Sequence, residues 1–156
     1  MMTPLGFALV DQEIYRSAYP ATKVYPFIET LNLKSMVCLT PSELKSELRS
    51  FAETKSIHIA EFDVKHNQEP FLIMSESVVS SALNFVCDKS HWPLLIFCTN
   101  GKVKTAVVVA CLRKRMGWSI SSIVHEYERF CEPDSNLLDL QFIENFEIDC
   151  PSNTIS

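Results

Sequence analysis

Glycine is scarce in this chain, with three residues among 156, so collagen-like and glycine-rich linker architectures are excluded. No hydrophobic run approaches the roughly 18 residues that a membrane-spanning helix needs. Positive charge is in the minority: 14 Lys and Arg stand against 19 Asp and Glu, for a net charge of −5 and a pI near 5.3. That argues against a nucleic-acid partner held by bulk electrostatics, while leaving room for a local basic site. There is no C-x-x-C pair. The six cysteines, at positions 38, 87, 98, 111, 131 and 150, lack zinc spacing and read as free thiols in a reducing compartment. Met1-Met2-Thr3-Pro4 carries no basic segment, and the apolar run Leu5 to Val10 ends at Asp11, which is not the pattern of a secretory leader. The expected compartment is the cytosol, with the nucleus also open. No membrane, metal or cofactor is called for.

What is present is an ordinary globular composition, 47% hydrophobic and 21% charged, at a length suited to one core. One domain is expected over residues 1–150, with a loose tail from Pro151 to Ser156. The chain alternates short strands and helices. Strands are expected at Ile14–Ser17, Ser35–Leu39, His58–Val64 and Leu94–Phe97, the last wholly apolar as a central parallel strand should be. A short helix is expected from Pro26. A longer one is marked by Thr40 as N-cap, Pro41 at N1 and Glu43 completing a capping box. Ser75 caps another, which carries Val78, Val79, Ala82, Leu83 and Val86 at helical spacing. Thr105–Met116 is rich in valine and open to a strand reading. Its length, the Arg113-Lys114-Arg115 cluster suited to a helix C-terminus and Gly117 as a stop favour a buried helix. Two more helices follow, one with Ile120, Ile123, Val124 and Tyr127 on one face, the other with Leu140, Phe142, Ile143 and Phe146. The pattern implies an α/β fold with a mostly parallel central sheet flanked by helices.

Between the apolar strand and the buried helix lies a short loop, Cys98-Thr99-Asn100-Gly101-Lys102-Val103-Lys104. Strand, tight loop and helix N-terminus together hold an anion, because loop N–H groups point inward and the helix dipole adds to them. Gly101 sits mid-loop, where close backbone approach is wanted. Cys98 ends the strand facing these donors and can act as a thiolate nucleophile. Thr105 can hydrogen-bond that thiolate. A lone cysteine after a strand is often only a small buried hydrophobe, but its neighbours here favour the nucleophile. A nucleotide-binding loop is excluded: Lys102 is followed by Val103, and Ile96 stands where the first glycine would be.

The stretch Phe97 to Thr105 resembles the HC-x-x-G-x-x-R-T signature of protein tyrosine and dual-specificity phosphatases. In particular it is similar to the atypical dual-specificity phosphatases of plants and fungi. Ile14-Tyr15-Arg16-Ser17 with Tyr19-Pro20, Glu69-Pro70-Phe71, Ala110 to Lys114 through Trp118-Ser119, Glu126-Tyr127 with Arg129-Phe130, and Asp139 with Gln141-Phe142 extend the likeness from about Pro4 to Ile148. The resemblance implies the cysteine-phosphatase fold and a phosphocysteine intermediate at Cys98. It also implies a phosphate cradle of Thr99, Asn100, Gly101, Lys102, Val103 and Lys104, followed by the Thr105 hydroxyl. The implied substrates are phosphorylated small molecules, inositol pyrophosphates among them, or phosphoproteins; related phosphatase-like proteins are further candidate partners.

Two positions depart from that signature. Lys104 replaces its arginine, exchanging a planar fork that grips two phosphoryl oxygens for a compact point charge. The loss of one charge-assisted hydrogen bond in the transition state costs about 1.5–3 kcal/mol, or roughly 10- to 150-fold in rate. Phe97 replaces a histidine that helps set the loop. The general acid is open between Asp63, at the end of a strand, and Glu69, in the following loop; Lys65 and His66 share that loop. Arg113-Lys114-Arg115 is expected to serve the helix terminus and not the site, and Arg16 and Asp139 to be structural or supporting. Two functions follow: a slow cysteine-dependent phosphatase, or a pseudophosphatase that binds a phosphate ligand or acts as a scaffold.

Overall fold

A computed structural model describes residues 1–67 and 74–147. Glu69, Pro70, Phe71, Ile148, Cys150 and the expected tail lie outside the described residues. Five strands form one sheet: β1 (Ala8–Asp11), β2 (Ile14–Ala18), β3 (Ser35–Cys38), β4 (His58–Glu61) and β5 (Leu94–Cys98). Their order is β1-β2-β5-β3-β4, with β1 antiparallel to β2 and every other pairing parallel. Among the described residues the α-helices are α1 (Tyr25–Thr30), α2 (Ser46–Thr54), α3 (Glu76–Cys87), α4 (Val103–Arg115), α5 (Ile120–Cys131) and α6 (Leu137–Asn145).

The two-residue period of a strand sorts side chains between the faces of the sheet. On β5, Leu94, Ile96 and Cys98 join the core shared with α3 to α6, whereas Leu95 and Phe97 join the core under α1 and α2. Cys98 thus faces the α4 layer, and its predecessor faces away from it. Each fully buried Val or Leu in these clusters contributes about 1.5–3 kcal/mol.

The valine-rich segment is a helix. Ala106 to Leu112 is buried throughout, and a helix apolar on all sides belongs in a core. It begins two residues before the expected start. It ends in a Schellman motif, where the Gly117 N–H donates to the Lys114 carbonyl and the Trp118 N–H to the Arg113 carbonyl, both at 3.0 Å, with Gly117 at φ +86°. Ser75 caps α3, Ser119 caps α5 and Asn136 caps α6 through their side-chain oxygens.

Three local expectations are corrected. Residues Pro41–Glu43 form a single 3₁₀ turn and the α-helix begins only at Ser46. The Thr40 side chain makes no capping bond and Glu43 is drawn elsewhere, so the capping box does not form. On α5 the buried face is Ile123, Tyr127 and Cys131, with Ile120 turned out at 48% exposure. The edge strand β1 overlaps the apolar run Leu5 to Val10, and its alternation over four residues, with Leu9 exposed, is too short to announce a strand.

Candidate active site

In an open parallel sheet the carboxyl ends of the strands make a natural ligand crevice. Here β2, β3 and β5 all end at one place. Cys98 closes β5 and is buried, with the Thr105 hydroxyl donating to its Sγ at 3.0 Å from the first turn of α4. Thr105 is itself fully buried. Sγ also lies 3.9 Å from Asn100 Oδ1, which accepts the Lys102 N–H at 2.9 Å. Asn100 thereby holds the Lys102 amide of the loop with its own side-chain carbonyl.

Gly101 explains why the loop tolerates no side chain at its centre. Its φ is +71°, and a Cβ there would sit 2.5 Å from the Ala18 nitrogen and 2.8 Å from the Ser17 carbonyl carbon. The loop therefore lies directly on the end of β2, where the Tyr19 N–H also donates to the Thr99 carbonyl at 3.3 Å. Val103 turns into the core, so only its backbone can serve a ligand. Lys102 and Lys104 are half-buried. Among the described residues neither side chain makes a hydrogen bond or ion pair.

Arg16 and Phe97 complete the surroundings. Arg16 is 2% exposed, donates to the Gly101 carbonyl at 3.4 Å and stacks 3.9 Å over the Phe130 ring. Phe97 packs edge-on to Tyr19 at 5.4 Å, so the apolar ring has exchanged a polar contact for core packing on the far face.

Glu43 is the site residue that sequence reasoning missed. Freed from the capping box, its Oε2 accepts the Thr99 hydroxyl, which places a carboxylate at the rim of the cradle. The signal was available in the topology: β3 is paired with β5, so the turn after β3 must lie beside the loop after β5. Tyr19, Ser42, Glu43, Leu44, Lys45 and Thr99 line a cavity of about 450 Å³ there.

After β4, Asn67 and His66 are the residues with contacts that bear on the site. Asn67 is buried, with Nδ2 donating to Asp139 Oδ1 at 2.9 Å and Oδ1 accepting the Met74 N–H at 2.7 Å. Asp139 is fully buried and also accepts the Tyr127 hydroxyl at 2.6 Å and Asn136 Nδ2 at 3.1 Å. Burial, and then the bond to Asp139, push the Tyr127 phenol well up, so it stays a donor. This network anchors the chain beside His66, whose imidazole is lowered from its ordinary value by partial burial and then by the Lys104 charge. Of the two expected acids, Asp63 ion-pairs with Lys65 at 2.7 Å on the exposed surface, and Glu69 lies outside the described residues.

The cluster Arg113-Lys114-Arg115 is structural, as expected, but it ties elements together more than it caps α4. Arg113 grips both oxygens of Glu126 at 3.0 and 3.1 Å, donates to the Val10 carbonyl at 2.8 Å and stacks on Trp118. The Lys114 ammonium donates to the carbonyls of Ile143, Glu144 and Phe146, and Arg115 donates to Asn84. The thiols of Cys38, Cys111 and Cys131 are pushed up by burial, as befits inert core residues. Among the described residues, no group of three or more His, Cys, Asp and Glu could hold a metal ion, and no helix is long and apolar enough to cross a membrane.

A family model described as "Tyrosine phosphatase family" matches residues 1–155. The chain is 38% identical over 148 residues to inositol diphosphatase DSP1 of Oryza sativa, covering 95% of this chain and 67% of that one. It is 37% identical over 146 residues to the probable tyrosine-protein phosphatase DG1060 of Dictyostelium discoideum, covering 94% and 88%. The core catalytic domain of the PP-IP phosphatase SIW14 from Saccharomyces cerevisiae, solved with citrate, superposes with a TM-score of 0.89 at 34% identity, covering 95% of this chain and 89% of that one. With the cysteine-phosphatase fold and a strand–loop–helix unit at Cys98 both in place, the chain belongs to the tyrosine phosphatase family, in its atypical dual-specificity branch, as a divergent member with lysine at the signature arginine.

Proposed function

We propose that this chain is a slow cysteine-dependent phosphatase of the cytosol that removes a phosphoryl group from inositol pyrophosphates. The observation that carries this reading is Cys98, set at the end of β5 with the Thr105 hydroxyl on its sulfur and the α4 N-terminus ahead of it. The Cys98 thiolate attacks the terminal phosphorus, the bond to the leaving oxygen breaks, and a phosphocysteine forms. Water then attacks the same phosphorus, the S–P bond breaks, and inorganic phosphate leaves with the thiolate restored. The Thr105 hydroxyl stabilises the thiolate both before attack and as it departs. The cradle amides, the α4 dipole and Lys104 meet the charge on the transferring oxygens.

Leaving-group chemistry supports an anhydride over a phosphotyrosine ester. A phosphate leaving group has a pKa near 6, whereas a phenol is near 10. The former departs with far less need of a proton. Lys104 lacks the fork, and Asp63, the one acid candidate among the described residues, is paired with Lys65 on the exposed surface. A site so equipped handles the easier bond first. The relatives named as inositol diphosphatases support the same substrate class. A phosphate-binding pseudophosphatase is the second reading, favoured by Phe97 and Lys104 together.

Purified protein assayed against an inositol pyrophosphate and a phosphotyrosine peptide tests the proposal. The pyrophosphate is hydrolysed faster, and Cys98→Ser removes the turnover, by about a thousandfold or more. Activity that survives Cys98→Ser would sink the proposal.

A further inference from the structure

A buried guanidinium needs a counter-charge, and among the described residues no carboxylate bonds to Arg16. Its Nη2 donates to the Gly101 carbonyl at 3.4 Å, its Nε is buried without a partner among the described residues, and the guanidinium lies 3.9 Å over Phe130. The titratable groups that face it are Glu126 and Cys131 from α5, Arg113 from α4 and Cys98 from β5, and burial holds the Cys131 thiol uncharged. Glu126 is gripped by both ends of the Arg113 fork, so its charge is largely spent there. Burial lowers the Arg16 pKa to about 10, which leaves it cationic at neutral pH. The fold thus keeps a cation beneath the phosphate loop, stacked in place by an aromatic ring.

The position follows from the sheet. β2 runs parallel to β5 with Arg16 opposite Ile96 and Ala18 opposite Cys98, so Arg16 enters the site from the neighbouring strand, two residues before the point where Gly101 rests on it. Holding the Gly101 carbonyl down turns the flanking N–H groups toward the anion.

From this geometry we infer that Arg16 is a positioning residue for the phosphate loop: it fixes the Gly101 peptide and supplies from below a permanent positive charge that favours the Cys98 thiolate and an anion in the cradle. It thereby offsets part of what Lys104 and Phe97 give up. The inference rests on the loop being an anion site, the premise of the proposed function, but not on turnover.

The test reads Cys98 directly. The intact protein is alkylated with iodoacetamide across pH 5.5–9.5, with and without inorganic phosphate, and labelling at Cys98 is followed by mass spectrometry. Arg16→Met is expected to move the alkylation profile to higher pH, lowering the rate at pH 6 about tenfold while leaving the plateau near pH 9 intact. It is also expected to need about tenfold more phosphate for protection. Arg16→Lys keeps the charge and loses the fork, so it should hold the wild-type pH profile yet still need more phosphate. A merely structural role would change the melting temperature and leave the pH profile in place. If Arg16→Met fails to fold, Arg16→Lys decides: unchanged phosphate protection, or a profile displaced like that of a neutral residue, overturns the inference. Wild-type protein that phosphate does not protect would instead overturn the anion site itself, and the two failures are thereby distinct.

Discussion

The two ends of α4 carry similar residues in opposite states. At its C-terminus Arg113, Lys114 and Arg115 are all engaged, with Glu126, with backbone carbonyls of β1 and of the C-terminal end of α6, and with Asn84. At its N-terminus Lys102 and Lys104 have no partner among the described residues, although the same loop places them beside Cys98. One end spends its charge on holding the fold. The other leaves it unpaired among the described residues at the positive pole of the dipole, where the proposed function has an anion complete it. Basic residues therefore mean different things at the two ends, and their contacts, not their composition, tell which.

The contrast predicts separable effects. Arg113→Ala leaves Glu126 half-buried without its partner and should cost about 3–5 kcal/mol of stability, read as a lower denaturant midpoint, while phosphate affinity of the folded protein stays within about twofold. Gly101→Ala should cost at least about 1–3 kcal/mol through its positive φ and its clash with β2, and it should lose phosphate protection of Cys98 as well. Lys104→Met should reverse the first pattern, with stability within about 0.5 kcal/mol and phosphate affinity down about tenfold. If Lys104→Met destabilises the fold as much as Arg113→Ala does, the comparison breaks.

The smallest effect sharpens it. Partial burial and Lys104 hold the His66 imidazole low, against the opposing pull of Asp139 and Glu43. A bound dianion favours the protonated ring, so binding takes up a proton. Sulfate, which does not titrate in this range, should therefore bind a few-fold more tightly as pH falls from about 7.5 to 6. His66→Gln should flatten that slope in calorimetric titrations.

Much of this was legible in the sequence because it is local. The apolar strand, Gly101 and Thr105 fall within twelve residues, and a loop between a strand and a helix has few alternative shapes. The helix at Val103–Arg115 was legible from its basic end and Gly117, which outweighed the valines. Glu43 was hidden by a local pattern: Thr40, Pro41 and Glu43 read as a capping box, yet the pairing of β3 with β5 offered the carboxylate a better partner in Thr99. The Asn67–Asp139–Tyr127 network was equally out of reach, since it joins residues up to 72 positions apart. Arg16 carried no local cue that it would come to rest under Gly101, 85 residues away.

The claim at the centre is that Lys104 keeps the charge of the signature residue and gives up its fork, so that anion binding survives and chemistry slows. The direct measurement is kcat on an inositol pyrophosphate for the wild-type protein and Lys104→Arg, with Cys98→Ser as the blank. The account predicts slow wild-type turnover above the blank and a gain of about 10- to 150-fold in Lys104→Arg. Wild-type turnover no greater than the blank, or a Lys104→Arg variant no faster than wild type, would contradict it.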